Sequence, residues 1–379
     1  MKKKSNRFVK ALLVVLIIII ILPALTGKKY LYEAVYHNFA NIDDYTFFTN
    51  NTVATGKPSP WTLSTDYGKI KMSDDLETYL ARIKTIAVVV IKNRQLLFEK
   101  YWEGYSDSSL SGSFSVAKSI TSLLIGAAIH EGKIGSVNDA VGKYLPEFKE
   151  GEKAKVKIVD LLTMSSGSNW DESYANPLSV TTQLYYGYDV YKTATSVKII
   201  QTPGSLHRYK SGDTQLLGLI IEKATGKSLS QYASEKLWQP LGAEHAALWS
   251  IDKKGGDEKA YCCFNTNARD FARLGQLMLD SGKINGVAVI DSMYFKKSIT
   301  SCGIKDELGL ACNYYGYQWW IIPEQQDIFY ARGILGQYII CIPKQNMIIV
   351  RLGEKRDEKV NNVPIEVERL IAWGKSLSN

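Results

Sequence analysis

The chain opens on an unbroken apolar run, residues 11–25, and then shows no sustained pattern until residue 85. From there the alternation sharpens. Residues 85–91 and 95–101 are β-branched or apolar runs joined by the polar turn Lys92-Asn93-Arg94, which predicts a hairpin. Behind a Ser-Gly-Ser loop, Ile120, Leu123, Leu124, Ala127 and Ala128 recur at helical spacing and Gly132 stops the run, so 115–131 reads as a buried helix. Between about 137 and 279, short helical patterns such as 215–224 and 268–280 alternate with Gly, Ser and Asn breaks. Strand patterns return at 317–322, 327–332, 337–342 and 347–352, and an amphipathic helix over 364–376 closes the chain. Strands at both ends with helices between them predict an α+β fold, an α/β sandwich. One antiparallel sheet is built from the two chain ends, flanked by helices, with a mostly helical subdomain inserted.

Three segments follow from this pattern: an N-terminal signal anchor or signal peptide over 1–27, a tether and surface-wrapping arm over 28–80 with Pro58-Ser59-Pro60 in it, and a domain over 81–379. The apolar run sits at the lower edge of spanning length and no small-x-small cleavage site is clear, which favours an anchor. Lysines before the run outnumber those just after it, so the positive-inside rule predicts a domain outside the cytoplasm, at the cell envelope, anchored by residues 8–26 or exported. This also changes the meaning of the net charge of +8: Lys2, Lys3, Lys4, Arg7, Lys10, Lys28 and Lys29 supply seven of those charges with no acidic residue among the first 29. The remainder is near neutral, which gives no basic face for nucleic acid.

Five cysteines fall in the C-terminal third without a C-x-x-C pair. Adjacent Cys262 and Cys263 read as packed small hydrophobes, and Cys302 with Cys312 suits a loop disulfide. The four histidines lack ligand spacing, although His207 lies two residues from a tyrosine of interest. No metal or cofactor is expected.

Candidate chemistry begins at Ser115-Val116-Ala117-Lys118, where a polar loop enters the buried helix. Positions i and i+3 share a helical face, so the lysine amine reaches the serine hydroxyl. The first-turn amide of Ser115 is free to hold an oxyanion, and burial of Lys118 favours the neutral amine that a base requires. A second match, Ser250 to Lys253, runs into Gly255-Gly256 with no apolar helix behind it and is set aside. Tyr209-Lys210-Ser211 follows the turn Pro203-Gly204 and precedes another helical pattern; a loop tyrosine there can pass a proton to a leaving group, with the Ser211 hydroxyl facing the same cleft. Tyr36 and Tyr232 lack that setting. In Gly333-Ile334-Leu335-Gly336-Gln337, glycines allow a substrate to lie against a strand, and the Gln337 amide is the candidate second oxyanion donor. Trp170, Trp249, Trp319 and Trp320 are candidates for cleft walls or aromatic core.

These segments, together with Asp160-Leu161-Leu162-Thr163-Met164-Ser165-Ser166-Gly167 and Leu216-Leu217-Gly218, resemble the serine β-lactamase and penicillin-binding-protein-like family over roughly residues 85–355. The likeness is to its class C-like branch, which includes esterases, D-amino-acid peptidases and 6-aminohexanoate-dimer hydrolases. The resemblance implies a serine hydrolase cleaving a small-molecule or short-peptide ester or amide through an acyl-enzyme, with Ser115 as nucleophile, Lys118 as base and Tyr209 as proton shuttle. Ser211, Gly336, Ile334 and Trp170 are the candidate substrate contacts. Ser211 stands where the family often has Asn, and Ile334 where Lys or His usually precedes the glycine segment. A cation there binds a substrate carboxylate, so Ile334 argues against efficient β-lactam hydrolysis unless Arg332, two residues earlier, shares its face of the strand. The alternatives are a cell-wall D-Ala carboxypeptidase or β-lactamase, or a non-catalytic peptidoglycan-binding protein of the same fold.

Overall fold

A computed structural model describes residues 9, 10 and 21–377. Seven strands form the main sheet: β1 (Thr62–Leu63), β2 (Thr85–Lys92), β3 (Gln95–Tyr101), β4 (Trp320–Ile322), β5 (Gln325–Gly333), β6 (Gln337–Ile342) and β7 (Met347–Gly353). Their order is β4-β5-β6-β7-β2-β3-β1. The two chain ends therefore meet at its centre, where β7 pairs antiparallel with β2, Val350 opposite Val89 and Ile348 opposite Ile91.

The near-continuous apolar character of these strands has a physical cause: both faces of the sheet are covered. On one face Val88, Val90, Tyr338, Ile340 and Ile349 pack with Val367, Leu370 and Ile371 of the C-terminal helix, Ile365–Ser376. On the other, Val89, Ile91, Ile339, Ile348 and Val350 pack with α1 (Val116–His130) and with a later helix, Ala268–Leu279. Gly275 of that later helix lies against Ile348 and Ile339, so the helix sits close on the sheet. The inserted region packs α2 (Ser211–Thr225) against α1.

Three expectations change. The sheet is not wholly antiparallel, because β1 runs parallel to β3. A second, four-stranded sheet joins Thr49–Val53, Ala247–Ile251, Phe264–Thr266 and Ser111–Gly112. Both additions come wholly or partly from the segment expected to be a tether. With Tyr30, Ile42 and Val53 buried in the core, residues 30–63 are part of the folded domain.

Residues 11–20 of the expected membrane segment lie outside the described residues; among those described, no helix is long and apolar enough to cross a membrane. Cys262 and Cys263, expected as packed thiols, are buried but joined as a disulfide, whereas Cys302 and Cys312 are free.

Candidate active site

Ser113 donates its amide to the Phe264 carbonyl, anchoring the loop on the second sheet, and Phe114 then takes a left-handed conformation, φ 44°. That conformation is costly for a bulky residue and turns the chain sharply into α1. Ser115 is the cap of this helix. The amides of Val116, Ala117 and Lys118 are taken by the carbonyls of Ser113, Phe114 and Ser115, which leaves the Ser115 amide available at the helix start.

Three residues on, Lys118 is 1% exposed. Its Nζ donates to Ser115 Oγ at 2.8 Å and to the Tyr261 carbonyl at 3.0 Å. Burial pulls the amine down to about 8, against the opposing charge of Glu172. Tyr209 completes the group: its ring centroid is 5.1 Å from Lys118 Nζ, and it packs against Trp320 and Tyr315, with centroids 5.7 and 6.1 Å away. Burial raises the Tyr209 phenol well above its usual range, and its hydrogen bond with Ser115 works the other way. Neighbouring Lys210 points away, buried and donating to the Ser168 carbonyl at 2.7 Å.

Ser211 and Trp170 do not line the cleft. Both serve Glu172, a residue that the sequence reading did not single out. Ser211 donates its amide to Glu172 Oε2 and its hydroxyl to Oε1, each at 2.6 Å. Trp170 donates Nε1 to Oε2 at 2.9 Å, and Tyr174 donates its hydroxyl to Oε1 at 2.5 Å. The carboxylate is thus held by four donors at the start of α2, where the helix dipole favours negative charge. A Cβ on Gly212 would overlap the Trp170 indole, so this glycine lets the helix start approach the ring.

The Gly333–Gln337 segment divides in two. Gly333 lies against the Ser113 carbonyl and Phe114, and Gly333 and Ile334 line the cleft with Ser115. Gln337 is fully buried: its side chain donates to the Gly353 carbonyl at 2.6 Å and accepts the Gly353 amide, so it bridges strands instead of reaching the cleft. Gly336 is also behind the wall, at φ 90°, with Arg351 against it. Fully buried Arg351 donates to the carbonyls of Leu335, Gly336, Ile83 and Lys355 and clamps the turn. Gln337 pairs with Gly333 in the strand ladder and is not part of the cleft lining, whereas Ile334 is, so the candidate second oxyanion donor moves from the Gln337 amide to that of Ile334. Ile334 opens a single 3₁₀ turn, whose first amides have no partner inside the turn.

The cleft has a volume of about 430 Å³. Arg332 and Ile334 both line it, with Arg208, Arg356 and Lys359, opposed by Asp306 and Glu307. Arg332 stacks on Trp320, its guanidinium carbon 3.2 Å from the ring centroid, and donates to the Asn362 carbonyl at 3.0 Å. Lys359 is pulled down to about 8 by burial and by the charges of Arg332 and Arg356. Of the other tryptophans, Trp320 lines the cleft, while Trp249 and Trp319 are core.

A family model described as "Beta-lactamase" matches residues 72–370. The chain belongs to the beta-lactamase family. It is 28% identical over 301 residues, 75% of its own length and 76% of the relative's, to the 6-aminohexanoate-dimer hydrolase of Paenarthrobacter ureafaciens. Among solved structures it superposes with TM-score 0.70 and 26% identity on "Putative 6-aminohexanoate-dimer hydrolase from Bacillus anthracis", covering 88% of this chain and 90% of that one. A family VIII carboxylesterase shares the fold at TM-score 0.64 and 17% identity, over 82% and 97% of the two chains.

As a serine hydrolase of the beta-lactamase family, the chain carries its Ser115, Lys118 and Tyr209 around one cleft, with Ile334 on the wall. Glu172 escaped the sequence reading because it is one of 38 acidic residues and has no distinctive spacing. Arg356 and Lys359 escaped because they follow the last strand of the main sheet, Lys359 in a two-residue strand paired with Val363–Pro364, and reach the cleft only through folding.

Proposed function

We propose that this protein hydrolyses an amide or ester of a small molecule bearing a carboxylate, by two acyl transfers through Ser115. The observation that carries the reading is the 2.8 Å hydrogen bond between Lys118 and Ser115 in a buried setting that brings the amine to about 8. Lys118 in its neutral form takes the Ser115 proton as Oγ attacks the acyl carbon. The amides of Ser115 and Ile334 are the proposed oxyanion donors. Tyr209, held protonated by burial, gives its proton to the leaving amine or alcohol, and the proton on Lys118 is available to replace it. Water then attacks the acyl-serine, releasing the acid and restoring the Ser115 hydroxyl.

The carboxylate is proposed from the cations Arg332, Arg356 and Lys359 on the cleft wall. A dimer of 6-aminohexanoate, named for the Paenarthrobacter relative, contains one amide, a carboxylate and an ammonium. Asp306 and Glu307 give this cleft a place for the ammonium as well. Arg332 also supports a second reading, a D-Ala carboxypeptidase or β-lactamase, whose substrates end in a carboxylate. We place the enzyme at the cell envelope on the strength of the basic residues and the apolar run at its N-terminus.

The test is to treat purified protein with a fluorophosphonate probe and a p-nitrophenyl ester, beside Ser115→Ala. Labelling and turnover that both disappear in the variant establish the nucleophile. A folded wild type that takes no label overturns the reading in favour of a binding protein.

A further inference from the structure

His207, Cys302 and Cys312 converge: one ligand atom from each lies within 4.8 Å of the other two. Nothing in their spacing announces this, since they come from the segment before Tyr209 and from two positions ten residues apart in a loop. His207 is 3% exposed and Cys312 fully buried, while Cys302 is partly exposed. The histidine is already oriented, for its Nδ1 lies 2.9 Å from the Thr163 carbonyl. With the Nδ1 proton on that oxygen, Nε2 presents its lone pair, the arrangement by which a backbone carbonyl orients a metal-ligating histidine. Tyr314 and Tyr315 flank the ring, with centroids 5.7 and 5.2 Å away.

We propose that His207, Cys302 and Cys312 form a binding site for a borderline or soft metal ion of the Zn²⁺ type. Two thiols and an imidazole match that ion class and are poor ligands for Mg²⁺ or Ca²⁺. Binding releases both thiol protons to solvent and leaves one tetrahedral position for water or another small ligand.

The site's role follows from what its donors join. The amide of His207 donates to the Lys305 carbonyl at 2.7 Å, and Arg208 pairs with Glu307 at 2.6 Å. The loop between the two cysteines carries Asp306, Glu307 and Leu308 onto the cleft wall. An ion bound by the three residues cross-links that wall to the extended segment entering Tyr209, without touching Ser115 or Lys118. The site therefore braces the cleft wall, and its existence does not depend on the proposed hydrolase chemistry.

The test uses the full chain, purified with a thiol-blocked control and then reduced, with Zn²⁺ or Co²⁺ alone as probe. The expected result is one ion per chain after gel filtration, a thiolate-to-cobalt charge-transfer band and a melting temperature raised by the metal. Cys302→Ser and Cys312→Ser lose the band, His207→Ala weakens binding at least roughly tenfold, and Cys341→Ser, altering a buried thiol elsewhere, keeps full binding. Far-UV circular dichroism and the melting temperature of each metal-free variant report that the fold survives, whether or not Ser115 takes a label. Two results overturn the proposal: a Cys302–Cys312 disulfide in the thiol-blocked sample, or a reduced chain that binds no more metal than Cys302→Ser.

Discussion

Glu172 grips Ser211 with both carboxylate oxygens, one on the amide and one on the hydroxyl, each at 2.6 Å. The same carboxylate raises the Lys118 amine against the stronger lowering by burial. A residue outside the acyl-transfer steps thus couples the start of α2 to the proton affinity of the proposed base.

Replacing Glu172 by Gln removes the charge that favours the Lys118 ammonium, so the amine's pKa falls further. The acidic limb of the kcat/KM profile is expected to move to lower pH, alongside a loss in kcat from the disturbed hydrogen bonds. A limb that stays in place, measured with a neutral ester, contradicts the coupling.

Lys118 itself sets the wild-type profile. Only the neutral amine accepts the Ser115 proton, and the group titrates near 8. Activity on a neutral ester should therefore fall about tenfold per pH unit below that point and level off above it. Lys118→Arg keeps the charge but cannot lose its proton near neutrality, so kcat should drop by roughly 10² to 10⁴ across the whole range. Retained activity in that variant would remove Lys118 from the role of base.

Gly336→Ala tests the clamp behind the cleft. A Cβ at this position runs into the Arg351 guanidinium, and φ 90° is unfavourable for any residue with a side chain. The expected cost is at least about 2 kcal/mol, read as a lower melting temperature. Displacement of Ile334 should lower esterase activity as well. A variant as stable as wild type shows that the turn relaxes without Arg351.

Arg332→Ala and Lys359→Ala separate carboxylate recognition from chemistry. Losing a charged hydrogen bond worth about 1.5–3 kcal/mol corresponds to a rise in KM of roughly 10- to 100-fold for an amide with a free carboxylate. A neutral p-nitrophenyl ester should show little change. Equal losses on both substrates would mean that these cations hold the wall, not the ligand.

Much of the scaffold was legible before folding because it rests on local order. Two β-branched runs across three polar residues can do little but form the β2–β3 hairpin, and the spacing of Ile120, Leu123, Leu124 and Ala127 buries one helix. The meeting of Ser115 with Lys118 belongs to the same class, since positions i and i+3 are neighbours on any helix. What sequence order alone did not reveal was the parallel edge β1, the second sheet and the incorporation of residues 30–63, because each pairs segments far apart in the chain.

At the site the division is equally physical. Gly333-Ile334-Leu335-Gly336-Gln337 is recognisable as a close-approach segment, yet which of its residues meets the cleft depends on the buried Arg351, sixteen residues from Leu335 along the chain. Ser211 and Trp170 looked like substrate contacts until Glu172, 39 residues from Ser211, claimed their donors. The sequence by itself determined the central helix, the hairpin and the pairing of serine with lysine, all written in contacts spanning a few residues. Tertiary structure alone decided which carboxylate tunes that lysine, which amide faces the cleft and which cations line it, because burial and Coulomb interactions act through space between residues whose separation in the chain carries no signal.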